Sequence, residues 1–288
     1  MARHIMLNGE ILPSDKPCLG YNNRGTIWGD SFTIQLRGNS CFVYDFDNYF
    51  AVITKMLETY SMKPKDWFSA KNMANDICLL LRKNRIYKEF YVTITFFRNS
   101  DNNEKLASDN TFSLLMSAES LPHEFYSINK DGIFTDVMDN YAQESLPTSN
   151  FQPELLCHKI MLEKELDDII ITDNMSNYRR SLFSDIFFIN DNSLVYASYP
   201  NSISINTVFS SRIMEIADKK LNMKIYHSPV NHNTLKNIKG MFLADPLNGI
   251  RWVVGLGLDR FYQENINDIA LEVYFYYKSE IENKKALQ

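Results

Sequence analysis

Cysteine is scarce in this chain and poorly spaced for chemistry: Cys18, Cys41, Cys78 and Cys157 are scattered over 288 residues with no Cys-x-x-Cys pair. That pattern excludes zinc-ribbon and dithiol redox motifs, and it predicts four small buried hydrophobes in a reducing compartment. Long apolar runs are missing as well. No stretch reaches the roughly 18 apolar residues that span a bilayer, and Met1-Ala2-Arg3-His4-Ile5-Met6-Leu7 carries no signal-peptide pattern. A cytoplasmic protein without a membrane partner is expected. Basic stripes are absent too. The net charge is -5, and clusters such as Arg82-Lys83-Asn84-Arg85 fall where a helix should end, so a solvated terminus is the reading and nucleic acid is not an expected partner. There is no GxSxG, HExxH or Gly-rich Walker loop, no internal repeat and no low-complexity tract.

What is present is apolar and aromatic. With 45% hydrophobic and 23% charged residues the chain can bury a core. Its 16 Tyr and 19 Phe predict bulky side chains in that core and at a subunit interface. Alternating or β-branched runs predict strands over 5–7, 32–36, 41–44, 89–97 and 111–116. Between them Phe50, Ile53, Met56, Leu57 and Tyr60 form one helical face and Met73, Ile77, Leu80 and Leu81 another. A loop is expected at 99–104 and an inter-domain linker at 117–131, dividing the chain into an N-terminal domain, 1–120, and a C-terminal domain, 121–288. In the second domain helices fit 153–164, 207–221 and 266–282, and strands fit 168–172, 186–189, 193–197, 224–226, 241–243 and 251–254. This is an α+β, mixed α/β build. Val273-Tyr274-Phe275-Tyr276-Tyr277 is apolar all round a helix, which predicts burial against another domain or subunit.

Three strings carry a family resemblance. Asn8-Gly9-Glu10 is followed by Asn23-Arg24-Gly25-Thr26-Ile27-Trp28-Gly29-Asp30-Ser31-Phe32, whose glycines suit a tight turn leading into a strand. Leu166-Asp167-Asp168-Ile169-Ile170-Ile171-Thr172 runs on to Ser184-Asp185-Ile186-Phe187. A late loop reads Leu243-Ala244-Asp245-Pro246-Leu247-Asn248-Gly249-Ile250-Arg251-Trp252-Val253-Val254. In this order they resemble the class IV aminotransferases, which bind pyridoxal phosphate (PLP) and include branched-chain aminotransferase, D-amino-acid aminotransferase and aminodeoxychorismate lyase. The resemblance implies a two-domain D-amino-acid aminotransferase-like fold, PLP at the domain boundary, and a homodimer.

It also implies roles for positions, and here the chain departs from the family. The Schiff-base lysine lies three or four residues before an Asn-aromatic pair, matched by Asn150-Phe151, and those places hold Pro147 and Leu146. Neither has the amine from which PLP chemistry starts. The carboxylate that keeps the pyridine nitrogen protonated corresponds to Arg180, preceded by Arg179. An arginine cannot serve as that counter-ion, so Arg180 is either a surface or interface residue or the holder of a small anion in the inter-domain cleft. On the phosphate side, the family's histidine and arginine match Tyr49 and Val52, the turn opening a helix matches Thr207-Val208-Phe209-Ser210, and the threonine loop matches Ala244-Asp245-Pro246.

Scaffold residues persist while cofactor residues do not. The expectation is a non-catalytic or small-anion-binding homologue without a cofactor, with no catalytic residue, and with Val52, Arg180, Thr207, Ser210 and Pro246 as degenerate cofactor positions. Two alternatives stay open. One is an active PLP-dependent aminotransferase or aminodeoxychorismate-lyase-like enzyme with a relocated lysine, Lys130 or Lys159. The other is a cofactor-free enzyme using Asp185, Tyr178 or His158, although no nucleophile–base pairing is visible. His158 reads as a structural helix histidine, Lys159 as a solvent-facing lysine, and His227 and His232 flank Pro229 without a metal-ligand spacing.

Overall fold

The computed structural model describes residues 3–99, 110–122, 132–138, 149, 151–197, 206–262 and 265–286, with only the backbone at 152, 153, 237 and 284–286. Pro147, Leu146 and Lys130 lie outside them, as does most of the loop expected at 99–104. The chain divides into two compact units, Met1–Glu124 with Pro147–Asn150 and Glu280–Gln288, and Phe125–Leu146 with Phe151–Ser279.

The first unit contains β1 (His4–Leu7), β2 (Glu10–Pro13), α1 (Arg24–Trp28), β3 (Ser31–Asn39), β4 (Phe42–Val43), α2 (Phe46–Thr59), α3 (Ala70–Asn84), β5 (Glu89–Arg98) and β6 (Phe112–Ser120). Its strands form one antiparallel sheet in the order β2-β1-β6-β5-β3-β4. Period-two alternation places Phe32, Phe90, Phe96 and Phe112 on buried positions. Their rings close up on one another, with Phe32 and Phe96 centroids 4.7 Å apart and Phe96 and Phe112 5.8 Å apart. Truncating any one to alanine should cost about 3–5 kcal/mol. The glycine string behaves as its composition requires. Gly29 caps α1 in the left-handed region at φ 65, and a Cβ on Gly25 would stand 2.9 Å from Cβ of Phe97.

The second unit contains β7 (Ile133–Met138), α4 (Gln152–Glu163), β8 (Asp168–Thr172), β9 (Tyr178–Arg180), β10 (Asp185–Asn190), β11 (Ser193–Tyr196), α5 (Thr207–Leu221), β12 (Lys224–His227), β13 (Gly240–Asp245), β14 (Gly249–Leu256), β15 (Asp259–Arg260) and the helix α6 (Ile266–Ala286), which continues into the last residues of the first unit. The sheet order is β12-β11-β10-β13-β14-β7-β8-β9, with β15 on β14. β7 runs parallel to β14 and to β8, and β11 runs parallel to β12. Phe187 stacks on Phe242 at 4.9 Å and on Tyr196 at 4.8 Å in the core. Among the described residues no helix is long and apolar enough to cross a membrane.

Four expectations are corrected. Residues 117–120, expected in a linker, belong to β6, because Ser117 to Ser120 pair in register with Thr93 to Phe90. β7 was not expected, since Thr135 and Asp136 interrupt its apolar pattern. His158, expected as a structural helix histidine, is exposed on α4, as are Leu155, Leu156 and Leu162 around it, and among the described side chains of that helix Cys157 is the buried one. Finally, Cys41 and Cys78 are not free thiols. They are joined in a disulfide, Cα atoms 5.0 Å apart, that ties the turn before β4 to α3.

Next to that bond lies a buried ion pair. Arg37 Nε donates to Glu89 at 3.0 Å, while Asn39 Nδ2 and the Tyr44 hydroxyl donate to the other Glu89 oxygen at 2.9 and 2.7 Å. Burial, followed by the Glu89 charge, pushes the Tyr44 phenol well above the usual tyrosine range.

Two predictions follow from these features of the first unit. Thiol titration of the unfolded, unreduced chain should count Cys18 and Cys157 alone, and reduction should add Cys41 and Cys78. Finding all four before reduction would refute the bond. Because Tyr44 is held neutral in the fold, its contribution is present below about pH 10 and is lost as pH rises beyond the unfolded-state value. Tyr44→Phe should cost about 1.5–3 kcal/mol at neutral pH and lessen, without abolishing, the alkaline loss seen in urea midpoints, since Tyr60 and Tyr91 are also raised by burial.

Candidate functional site

Where β8, β10 and β14 begin and β9 and β13 end, the second sheet gathers its buried charges. The register forces this. Asp185 pairs with Ala244 across β10 and β13, Asp245 with Gly249 across the β13–β14 turn, and Arg180 with Ile171 across β9 and β8. α5 adds Ser210 from its first turn.

The turn 245–249 is built by its own side chains. Asp245 Oδ1 accepts from the backbone N–H groups of Leu247 and Asn248 at 2.9 and 2.8 Å, and Asn248 Nδ2 reaches both carboxylate oxygens. Pro246 presets one dihedral and Gly249 supplies φ 71. Asp-Pro-x-Asn-Gly is thus a structural turn string, and Pro246 is buried within it.

Around that turn runs one connected network. Arg251 Nη2 donates to Asp168 Oδ2 and, at 2.9 Å, to Ser184 Oγ; it stands 3.8 Å from Asp245 Oδ2. Ser184 Oγ in turn donates to Asp245 Oδ2 at 2.6 Å. Ser181 Oγ donates to Asp168 Oδ2 at 3.2 Å and accepts from Ser184 N at 3.1 Å. Arg251 Nε is buried without a partner. Beside this, Asp185 Oδ2 accepts from Tyr196 Oη and Ser210 Oγ, each at 2.6 Å.

Arg180 is placed at the same end. Its Nη1 donates to the carbonyls of Ser181 and Leu182 at 3.1 and 2.9 Å, and its Nη2 pairs with Glu154 Oε1 on α4. About a third of the side chain remains exposed, while Glu154 is mostly buried. Cys157, one turn along α4, is pushed up by burial, with Arg180 lowering and Glu154 raising it.

The structure therefore brings Arg180, Ser210 and Pro246 to one end of one sheet, with Thr207 opening α5 half-buried. Val52 is half-buried on α2 in the first unit. Lys159 is 73% exposed and faces Glu163 at 3.8 Å, as a solvent-facing lysine should. Tyr178 is buried, His227 is exposed, and His232 is exposed 3.4 Å from Asp259. No group of His, Cys, Asp and Glu among the described residues could hold a metal ion. Sequence reasoning missed Glu154 and the partnership of Asp168 with Arg251. The available signal was that Asp168, Asp245 and Arg251 sat in the strings that carry the family resemblance.

As a test of PLP, these residues do not fit. The position implied for the pyridine carboxylate carries a guanidinium already held by a carboxylate, and a loop implied for phosphate carries the Asp245 carboxylate and a proline without an N–H. Asp168→Ala should lower stability by about 3 kcal/mol, because it strands Arg251 in a largely buried site. Ser184→Ala should cost about 1 kcal/mol. Urea unfolding of the Asp168→Ala protein within about 0.5 kcal/mol of wild type would show that the network is not cohesive.

Comparison with known proteins gives the family and the fold. A family model described as amino-transferase class IV matches residues 33–256. A sequence search of curated proteins found no match. Among solved structures, a branched-chain amino acid aminotransferase from Escherichia coli superposes with a TM-score of 0.80 at 14% identity, covering 96% of this chain and 94% of that one. A Legionella pneumophila protein assigned as a 4-amino-4-deoxychorismate lyase gives 0.79 at 14% identity over 92% and 97%. A branched-chain aminotransferase from Thermoproteus uzoniensis, solved with norvaline, gives 0.80 at 11% over 94% and 93%. At such identities these likenesses establish the shared fold, the mixed α/β architecture of PLP fold type IV. With the family model spanning most of its length, this chain belongs to the class IV aminotransferases.

Proposed function

We propose that this member of the family has given up PLP chemistry and acts as a non-catalytic homologue, with a small anion as the ligand class that its polar end can still take. The observation that carries this reading is the Glu154–Arg180 pair. A carboxylate facing a pyridinium stabilises the electron sink on which PLP reactions depend. A guanidinium in that position opposes it. Here the guanidinium is also neutralised from α4 and capped by two carbonyls, so the position has been rebuilt as an ion pair.

Charge balance sets what could bind beside it. Glu154, Asp168 and Asp245 face Arg180 and Arg251, an excess of carboxylates. A phosphate dianion is poorly suited to such surroundings, whereas a singly charged carboxylate can approach the exposed edge of Arg180. Support against a relocated Lys159 comes from α4, where that lysine faces solvent; Lys130, the other candidate, lies outside the described residues. We also take the protein to be a homodimer, a reading supported by the exposed apolar side chains Leu155, Leu156 and Leu162 along α4 and Phe275 on α6.

The purified protein mixed with PLP should show no Schiff-base absorbance band and no borohydride-sensitive colour. A yellow, borohydride-bleached protein that transaminates any amino acid would overturn the reading in favour of an active enzyme.

A further inference from the structure

The end of α3 concentrates positive charge that neither the fold nor the site uses. Arg82, Lys83, Arg85 and Lys88 fall within seven residues that contain no acid, and all four side chains are exposed. Arg3 joins them. Its backbone N–H is held at 3.0 Å by Asn84 Oδ1, and the same Asn84 bonds both the N–H and the carbonyl of His4. None of the five cations makes an ion pair or side-chain hydrogen bond with another described residue. The adjacent acid, Glu89, is buried and held by Arg37, Asn39 and Tyr44.

Favourable interaction with the helix dipole explains cations in the last turn, Arg82 and Lys83. It does not explain Arg85, Lys88 and Arg3, which lie beyond the helix. The platform is also rigid. Arg85 caps α3 in a left-handed conformation with its N–H on the carbonyls of Leu81 and Arg82. Ile86 is buried beneath, and the carbonyl of Lys88 accepts from Ser40 N at 3.0 Å, next to the disulfide at Cys41. Tyr87, between Arg85 and Lys88 in the sequence, stands 66% exposed.

We propose that Arg3, Arg82, Lys83, Arg85, Tyr87 and Lys88 form a docking surface for a short acidic segment of a partner protein. Three arginine forks suit carboxylates bidentately, and Tyr87 offers an apolar contact between them. Size selects the partner class. Removing these five cations from a net charge of -5 leaves -10 on the rest of the chain. A nucleic acid or an anionic membrane extends well past the patch and meets that acidic remainder. A peptide of several residues stays within the patch, and at physiological salt the screening length is about 8 Å.

The test uses a fluorescein-labelled oligoglutamate of about ten residues as the probe, followed by anisotropy on the full chain. Wild type should bind it, and Arg82→Gln with Arg85→Gln should weaken binding by about ten-fold while leaving the circular dichroism and melting temperature unchanged. The matched control is Lys219→Gln with Lys220→Gln at the basic end of α5, which removes the same charge elsewhere and should change binding by less than about two-fold. Equal weakening by both pairs would overturn the proposal as non-specific charge attraction, as would no binding to wild type. Tighter binding of a thymidine oligonucleotide or of phosphatidylserine vesicles than of the peptide would overturn it in favour of that surface. If the double variant unfolds, Lys83→Gln with Lys88→Gln carries the same expectation and the same failure.

Discussion

Arg251 is a guanidinium committed to the interior of a sheet, and the polar end of the second unit is arranged around the need to neutralise it. A charge buried to that degree costs several kcal/mol unless it is paired and hydrogen-bonded. The pairing draws on β8 through Asp168, on the segment between β9 and β10 through Ser184, and on β13 through Asp245. Each of those groups has a second duty. Asp168 accepts from Ser181 and from the backbone of Leu182, and Asp245 closes the turn that leads into β14. The strands therefore cannot shift register without leaving charge unpaired, and the network fixes the end of the sheet at which the family's cofactor positions meet.

That constraint shapes the functional reading. Most polar groups at that end of the sheet find partners within the chain, and Glu154 comes across from α4 to Arg180, while Arg251 Nε and Glu154 Oε2 stay buried without one. A similar arrangement recurs in the first unit, where Arg37, Asn39 and Tyr44 converge on Glu89. A strongly charged region without internal partners among the described residues lies at the end of α3, and it is a natural place to look for an external one.

Much of the fold was legible because apolar periodicity sets it. α5 spans the residues its apolar spacing indicated, and β8 coincides with Asp168–Thr172, whose five buried positions read as one apolar run apart from its ends. Failures came where local pattern and tertiary environment disagree. β7 carries Thr135 and Asp136, yet Thr135 is buried because its hydroxyl donates to the Gly255 carbonyl across the parallel pairing with β14. The leucines of α4 look like a core face and stand in solvent. The Glu154–Arg180 pair could not be read at all, since the two residues are 26 positions apart and nothing in either string names the other.

The sequence by itself carried the family resemblance, with glycines where turns need them and with Pro147, Val52 and Arg180 at positions which that resemblance implies for the cofactor. Those are statements about residue identity, and identity is local. Only the tertiary structure decided what Arg180 touches. Whether Arg180 seeks an external anion or an internal one depends on which carboxylate the fold carries to it. Whether Cys41 stays a thiol depends on the 5.0 Å that separates its Cα from that of Cys78. Both are matters of distance in space, fixed when β-sheet register and helix packing bring remote segments together.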